Sequence, residues 1–217
     1  MATAVKPPEP IAQRVILPGV SWQTYERLLA DFEDSHAAHF AYDQGVLEIL
    51  VPSANHEEPN RTLALLIEML ALELDMDIRN LGSTTFKRAD MLRGFEPDTC
   101  FYIQRAEQIS GKDEIDLTID PPPDLVIEID ITHPSLDKLP IYAAVGVTEV
   151  WRYDGEVVTI YTLGQETYSS SEVSRVLPGV TSQVLSRFIA ESKQLKRPIW
   201  LRQIREWAQQ LGRHDRR

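Results

Sequence analysis

A single cysteine, Cys100, is all the thiol chemistry in this chain. One cysteine closes no intrachain disulfide and cannot build a cysteine-rich zinc site. Long apolar runs are also missing: nowhere do 18 apolar residues follow one another, so no membrane-spanning helix is expected. The opening stretch, MATAVKPPEP, has no basic segment leading into an apolar one, so no secretory leader is expected. These absences together point to a cytoplasmic location. No glycine-rich phosphate loop occurs, and Ser53, His133 and Ser135 make no recognisable serine-hydrolase arrangement. Basic residues are scarce, with 22 Lys and Arg against 33 Asp and Glu and a net charge of −11. That balance disfavours wrapping nucleic acid by bulk electrostatics, which needs many phosphate-facing cations.

What is present suits one globular domain. The chain has 217 residues, of which 43% are hydrophobic, enough to build a core. Residues 1–20, with prolines at 7, 8, 10 and 18, read as a flexible N-terminal arm. Ser21 is placed to cap a short helix carrying Trp22, Tyr25, Leu28, Leu29 and Phe32. Apolar runs on either side of Asp43-Gln44-Gly45 predict a hairpin over 39–51. Leu63, Leu66, Ile67, Leu70 and Leu74 recur at helical spacing, which predicts a helix from about 55 to 75. Strands are expected at 98–103 and 125–131, a short helix at 136–145, and a hairpin of strands 147–153 and 156–163 turning at Asp154-Gly155. Helices at 182–191 and 198–211 complete the pattern. It is an α/β domain over 21–192, a mixed β-sheet flanked by α-helices, followed by a basic helical extension over 193–217.

The chemistry gathers on the strand at 125–131. Side chains alternate along a strand, so Glu128 and Asp130 share one face while Ile127, Ile129 and Ile131 take the other. Two carboxylates on an otherwise apolar strand are costly unless paired, solvated or bound to a cation. Asp98 opens the neighbouring expected strand, after Pro97; if the two strands pair, Asp98 and Glu128 converge. Carboxylate oxygens with open positions suit a hard cation such as Mg²⁺. Lys138 falls with Ile141, Tyr142 and Val145 on one face of the following helix, an odd place for a lysine unless its ammonium meets those carboxylates. Salt bridges on a solvated face would explain the acids alone, and pairing with Asp137 would explain Lys138.

The stretches RGFEPDTCFY and PDLVIEIDITHPSLDKLPIYAAVGVTEVWRYDG, with SANHEEPNRTLALLIEML upstream, resemble the Uma-type restriction endonuclease family of the PD-(D/E)XK nuclease superfamily. The likeness runs from about Ser21 to Gly179. It implies a restriction-endonuclease-like core and Mg²⁺-dependent hydrolysis of DNA phosphodiester bonds, with Mn²⁺ as a substitute. The motif aspartate falls on Asp98 and the motif glutamate on Glu128. Where the superfamily has lysine two residues after the glutamate, this chain has Asp130; the family's lysine comes from the next helix, here Lys138. Asp130 is then an extra ligand, a partner of Lys138 or a sign of altered activity. The acidic residue of the first core helix falls on Glu57, beside His56. The expected metal ligands are Asp98, Glu128 and the carbonyl of Ile129; the expected catalytic set is Asp98, Glu128, Lys138 and Glu57. A homodimer is expected by the same resemblance.

Two other functions fit the same residues. One is a catalytically inactive nuclease-fold protein that binds nucleic acid or another partner, a reading that Asp130 keeps open. The other is a hydrolase of small phosphodiesters. Charge does not exclude a nuclease, because residues 193–217 carry a local +6 and leave −17 on the other 192. Lys87, Arg88 and Arg93 form a second basic stretch near Asp98, and DNA contact needs a basic surface rather than a basic chain.

Overall fold

The computed structural model describes residues 12–32, 38–131 and 136–214. His133, Ser135, most of the proline-rich arm and the last three residues lie outside them. In chain order the elements are β1 (Gln13–Pro18), α1 (Trp22–Asp31), β2 (His39–Asp43), β3 (Val46–Val51), α2 (Ala54–Leu74), β4 (Arg79–Gly82), β5 (Phe86–Arg88), β6 (Arg93–Phe95) and β7 (Thr99–Tyr102). They continue with β8 (Leu125–Ile129), α3 (Leu139–Val145), β9 (Glu149–Tyr153), β10 (Val158–Leu163), β11 (Tyr168–Ser171), α4 (Ser182–Ser192) and α5 (Arg197–His214).

The strands form two sheets. The larger is mixed, in the order β11-β10-β9-β8-β7-β4, with β8 and β9 parallel and the other neighbours antiparallel. Helices flank it as the sequence predicts. A parallel pair needs a crossover, and α3 supplies it. The second sheet, β1-β3-β2-β6-β5, is antiparallel throughout and was not foreseen as a separate unit. The stretch read as an arm contains one of its strands: Gln13–Pro18 pairs along β3 from Val51 to Val46.

Local chemistry explains the elements around the site. Gln44 and Gly45 both take positive φ, +47° and +103°, so two residues suffice to turn β2 into β3. Helix α2 runs its apolar stripe, Leu63, Leu66, Ile67 and Leu70, against Leu125, Ile127 and Ile129 of β8. Val126 points to the opposite face and packs with Ile141 and Tyr142 of α3. The strand β8 is therefore buried on both sides, which its near-continuous apolar run anticipates.

The C-terminal segment is built into this core. Trp200, Ile204 and Ala208 of α5 are fully buried with the α2 stripe, and the Trp200 indole donates to the Phe188 carbonyl at 2.8 Å. Arg205 pairs with Glu73 of α2 at 2.8 Å, so part of the basic stretch is engaged within the molecule.

Candidate active site

The antiparallel register pairs Thr99 with Ile127; one step further brings Asp98 level with Glu128. Asp98 is almost wholly buried, and its Oδ2 accepts a hydrogen bond from the Ile129 amide at 2.7 Å. Asn60 of α2 donates to the Asp98 carbonyl at 3.0 Å. Two imidazoles flank the carboxylate, His56 Nε2 at 3.2 Å from Oδ2 and His39 Nδ1 at 3.4 Å from Oδ1. These are ion-pair distances without hydrogen-bond angles, which leaves Asp98 Oδ1 buried and without a hydrogen bond.

Glu128 stands on the α3 side of β8. Its Oε2 accepts from Lys138 Nζ at 2.7 Å, and its Oε1 accepts from the Tyr142 hydroxyl. Lys138 is the residue that caps the start of α3, and Ile141 and Tyr142 donate their amides to its carbonyl at 3.0 Å. The capping position, rather than a place within the helix, aims its side chain back at β8. Lys138 Nζ also lies 3.7 Å from Glu48 Oε1 of β3, so the second sheet contributes a carboxylate. Glu48 Oε2 accepts from the Leu136 amide at 2.7 Å.

Burial tends to raise the Asp98 carboxyl, but the His39 and His56 imidazoles and the Lys138 charge outweigh it and hold the group below the usual carboxylate range. Glu128 moves the other way: burial, helped by the Asp98 charge, raises its carboxyl despite Lys138 and Tyr142. Two neighbouring carboxyls are thus driven apart in acidity, which is a frequent property of catalytic pairs. Burial would lower both Lys138 and His56, but the surrounding carboxylates raise them instead, Glu128, Asp98 and Glu48 for Lys138 and chiefly Asp98 for His56.

Of the residues singled out from sequence, Asp98, Glu128, Ile129 and Lys138 come together. Glu57 does not join them; it is partly exposed and accepts from Arg61 at 3.3 Å one turn along α2. Its neighbour His56 takes the inward position, because a step of one residue rotates a helix by about 100°. Asp130 contacts Arg14 of β1 at 3.2 Å and Arg152 of β9, so two guanidiniums hold it. Asp137 accepts the Leu139 amide at 3.2 Å.

Sequence reasoning missed Glu48, His39, Arg14, Arg152 and the Tyr142 hydroxyl. Glu48 alone left a signal, a lone carboxylate inside the apolar run Val46–Val51 on the same strand face as the buried Leu50. The others depend on the docking of the two sheets.

A small cavity of about 30 Å³ opens beside Glu128 and Lys138, lined also by Arg14, Asp130, Tyr142 and Arg152. Among the described residues no three His, Cys, Asp or Glu side chains lie close enough to share one ion. The donors still suit a hard divalent cation. Asp98 Oδ1 and Glu48 Oε1 are buried carboxylate oxygens without hydrogen bonds, and Mg²⁺ commonly uses one or two carboxylates with waters and phosphate oxygens completing its shell. A larger cleft of about 630 Å³ lies behind His39, but Glu26, Glu96, Asp113 and Glu114 outnumber Lys87 there, a poor setting for a polyanion.

Residues 22–191 match the Uma2 family model, described as "Putative restriction endonuclease". No curated protein matches. Among solved structures, a "putative nuclease belonging to DUF820" from Anabaena variabilis ATCC 29413 is similar over 69% of this chain and 90% of its own, at 16% identity and a TM-score of 0.48.

Proposed function

Since the chain belongs to the Uma2 restriction endonuclease family, we propose that it hydrolyses DNA phosphodiester bonds at the Asp98–Glu128–Lys138 site with a divalent cation, Mg²⁺ by preference. The observation that carries this reading is Lys138 Nζ 2.7 Å from Glu128 Oε2, beside a buried Asp98, at a cavity open to solvent. The cation would be held by Asp98 and Glu128, with the Ile129 carbonyl and Glu48 Oε1, which has no hydrogen bond, as further donors. Such a cation would supply Lewis-acid activation of water and of the phosphate.

The chain's own groups do the rest. The Ile129 amide and the two imidazoles hold the Asp98 carboxylate ionised and fixed in direction. Lys138 holds Glu128 on one side and presents its ammonium to the cavity on the other. There it orients an attacking water and offsets the charge that develops on the phosphorus oxygens. The Tyr142 hydroxyl donates to Glu128, which keeps the carboxylate from swinging away. No side chain becomes a covalent nucleophile.

DNA as the substrate and a homodimer as the working form belong to the same reading. The outer edge of β1, with Val15, Ile16 and Leu17 exposed, is the surface best suited to self-association, and sedimentation equilibrium tests it. The catalytic test is incubation of purified protein with Mg²⁺ or Mn²⁺ on supercoiled, linear and single-stranded DNA. Nicking that chelator abolishes is expected. Intact DNA in every case, with no metal heat by calorimetry, overturns the reading. Metal and DNA binding without cleavage favours the inactive binding module.

A further inference from the structure

Asp130 occupies the place where the superfamily pattern puts a lysine, and its surroundings give it a different task. It follows Glu128 by two residues, so it leaves the sheet on the same face. The parallel register sets Arg152 of β9 directly opposite Glu128, which brings the guanidinium to that face as well. Arg14 arrives from β1 in the other sheet. Its Nη1 is 3.2 Å from Asp130 Oδ1, and its Nε is 3.6 Å from Glu48 Oε2. Arg152 Nη2 donates to Asp130 Oδ2. One carboxylate is thus shared by two guanidiniums at the rim of the cavity, with all three side chains lining it.

The exposures differ in a way that matters. The Asp130 side chain is 8% exposed and that of Arg14 13%, whereas that of Arg152 is 41% exposed. Asp130 is recessed as a tether, and Arg152 is the most exposed side chain of the three. A guanidinium already oriented by one carboxylate offers its remaining donors with less loss of freedom, which suits an oxyanion of tetrahedral geometry.

We propose that Arg152, tethered by Asp130 and backed by Arg14, forms an anion subsite that takes a phosphodiester group of the substrate strand beside Glu128 and Lys138. The inference rests on the nuclease reading and deepens it, because it assigns the strand's phosphate contact and removes Asp130 from the metal ligands. The charges also set an order of binding. Arg14, Lys138 and Arg152 face Glu48, Asp98, Glu128 and Asp130, so carboxylates outnumber these three cations by one before the imidazoles beside Asp98 are counted, and a divalent cation would add two positive charges. Phosphate affinity at this subsite therefore rises when the cation is present.

The test is equilibrium binding of a fluorescent DNA duplex of about one helical turn, in Ca²⁺ to suppress cleavage, across a series of salt concentrations. Arg152→Gln is expected to weaken binding roughly tenfold, and to reduce the slope of log Kd against log salt by about one, as loss of one phosphate contact does. Arg152→Lys keeps the charge, loses the fork and falls between. Asp130→Asn is expected to weaken duplex binding while Mn²⁺ affinity, read by calorimetry, stays within twofold of wild type. Thermal melts of the three variants verify that they are folded. An unchanged salt slope for Arg152→Gln overturns the subsite and leaves the nuclease reading standing. Loss of Mn²⁺ binding in Asp130→Asn also overturns it, by making Asp130 a ligand. A wild-type protein that binds no duplex with Ca²⁺ present overturns the subsite together with DNA as the substrate.

Discussion

Lys138 holds two carboxylates at once, the largely buried Glu128 and the buried Glu48, and this decides what its removal does. Lys138→Met should lower hydrolysis by about 10²–10³-fold, the usual effect of deleting one preorganised stabilising group. It should also destabilise the fold by about 3–5 kcal/mol, since it strands buried charge. Adding Glu128→Gln should recover part of that stability, read as the urea midpoint, but none of the activity. His56 supplies a pH dependence in the metal-free protein. Its folded pKa lies above the ordinary 6.5, so its contribution is fully present below 6.5 and fades as pH rises through the higher folded value. The stability gap between wild type and His56→Gln should narrow on going from mildly acid to alkaline pH in urea titrations. At this scale the sequence was legible where a charge broke an apolar pattern, as at Glu128 and Lys138. Glu57 misled because adjacent residues on a helix face different ways, and nothing local shows that His56 is the inward one.

The elements obey short-range rules where short-range chemistry decides them. The two-residue turn at Gln44-Gly45 and the cap at Ser21, whose side chain accepts the Thr24 amide, were readable because each involves atoms a few residues apart. The separate five-stranded sheet was not, because β1 pairs with β3 across an intervening helix and strand and its own residues are mostly exposed. Nor was the seating of α1. Its Tyr25 ring stacks on Tyr42 at 4.9 Å and presses on the bare backbone of Gly94 in β6. A Cβ at Gly94 would meet the Tyr25 ring carbons at 2.8 Å. Gly94→Ala should therefore lift α1 from the sheet and cost about 1–3 kcal/mol, measured by urea denaturation, with a matching change in near-ultraviolet circular dichroism.

The molecule as a whole is held together by its last helix. The sequence marks α5 by its charge, yet Trp200, Ile204 and Ala208 sit in the same core as α2 and β8. Trp200→Ala should cost about 3–5 kcal/mol, and a chain ending at Lys196 should lose its cooperative urea transition altogether. An appended tail would leave both unchanged. The site itself is assembled from distant parts of the chain: Arg14 meets Asp130 across 116 positions, and the Leu136 amide meets Glu48 across 88. Contacts this remote must offset the closure of long loops, which slows folding. No short N-terminal fragment holds Glu48, Asp98, Glu128, Lys138 and Arg152 together, so the proposed site is complete only when the fold is. The activity proposed for this chain would therefore be absent until both sheets have docked.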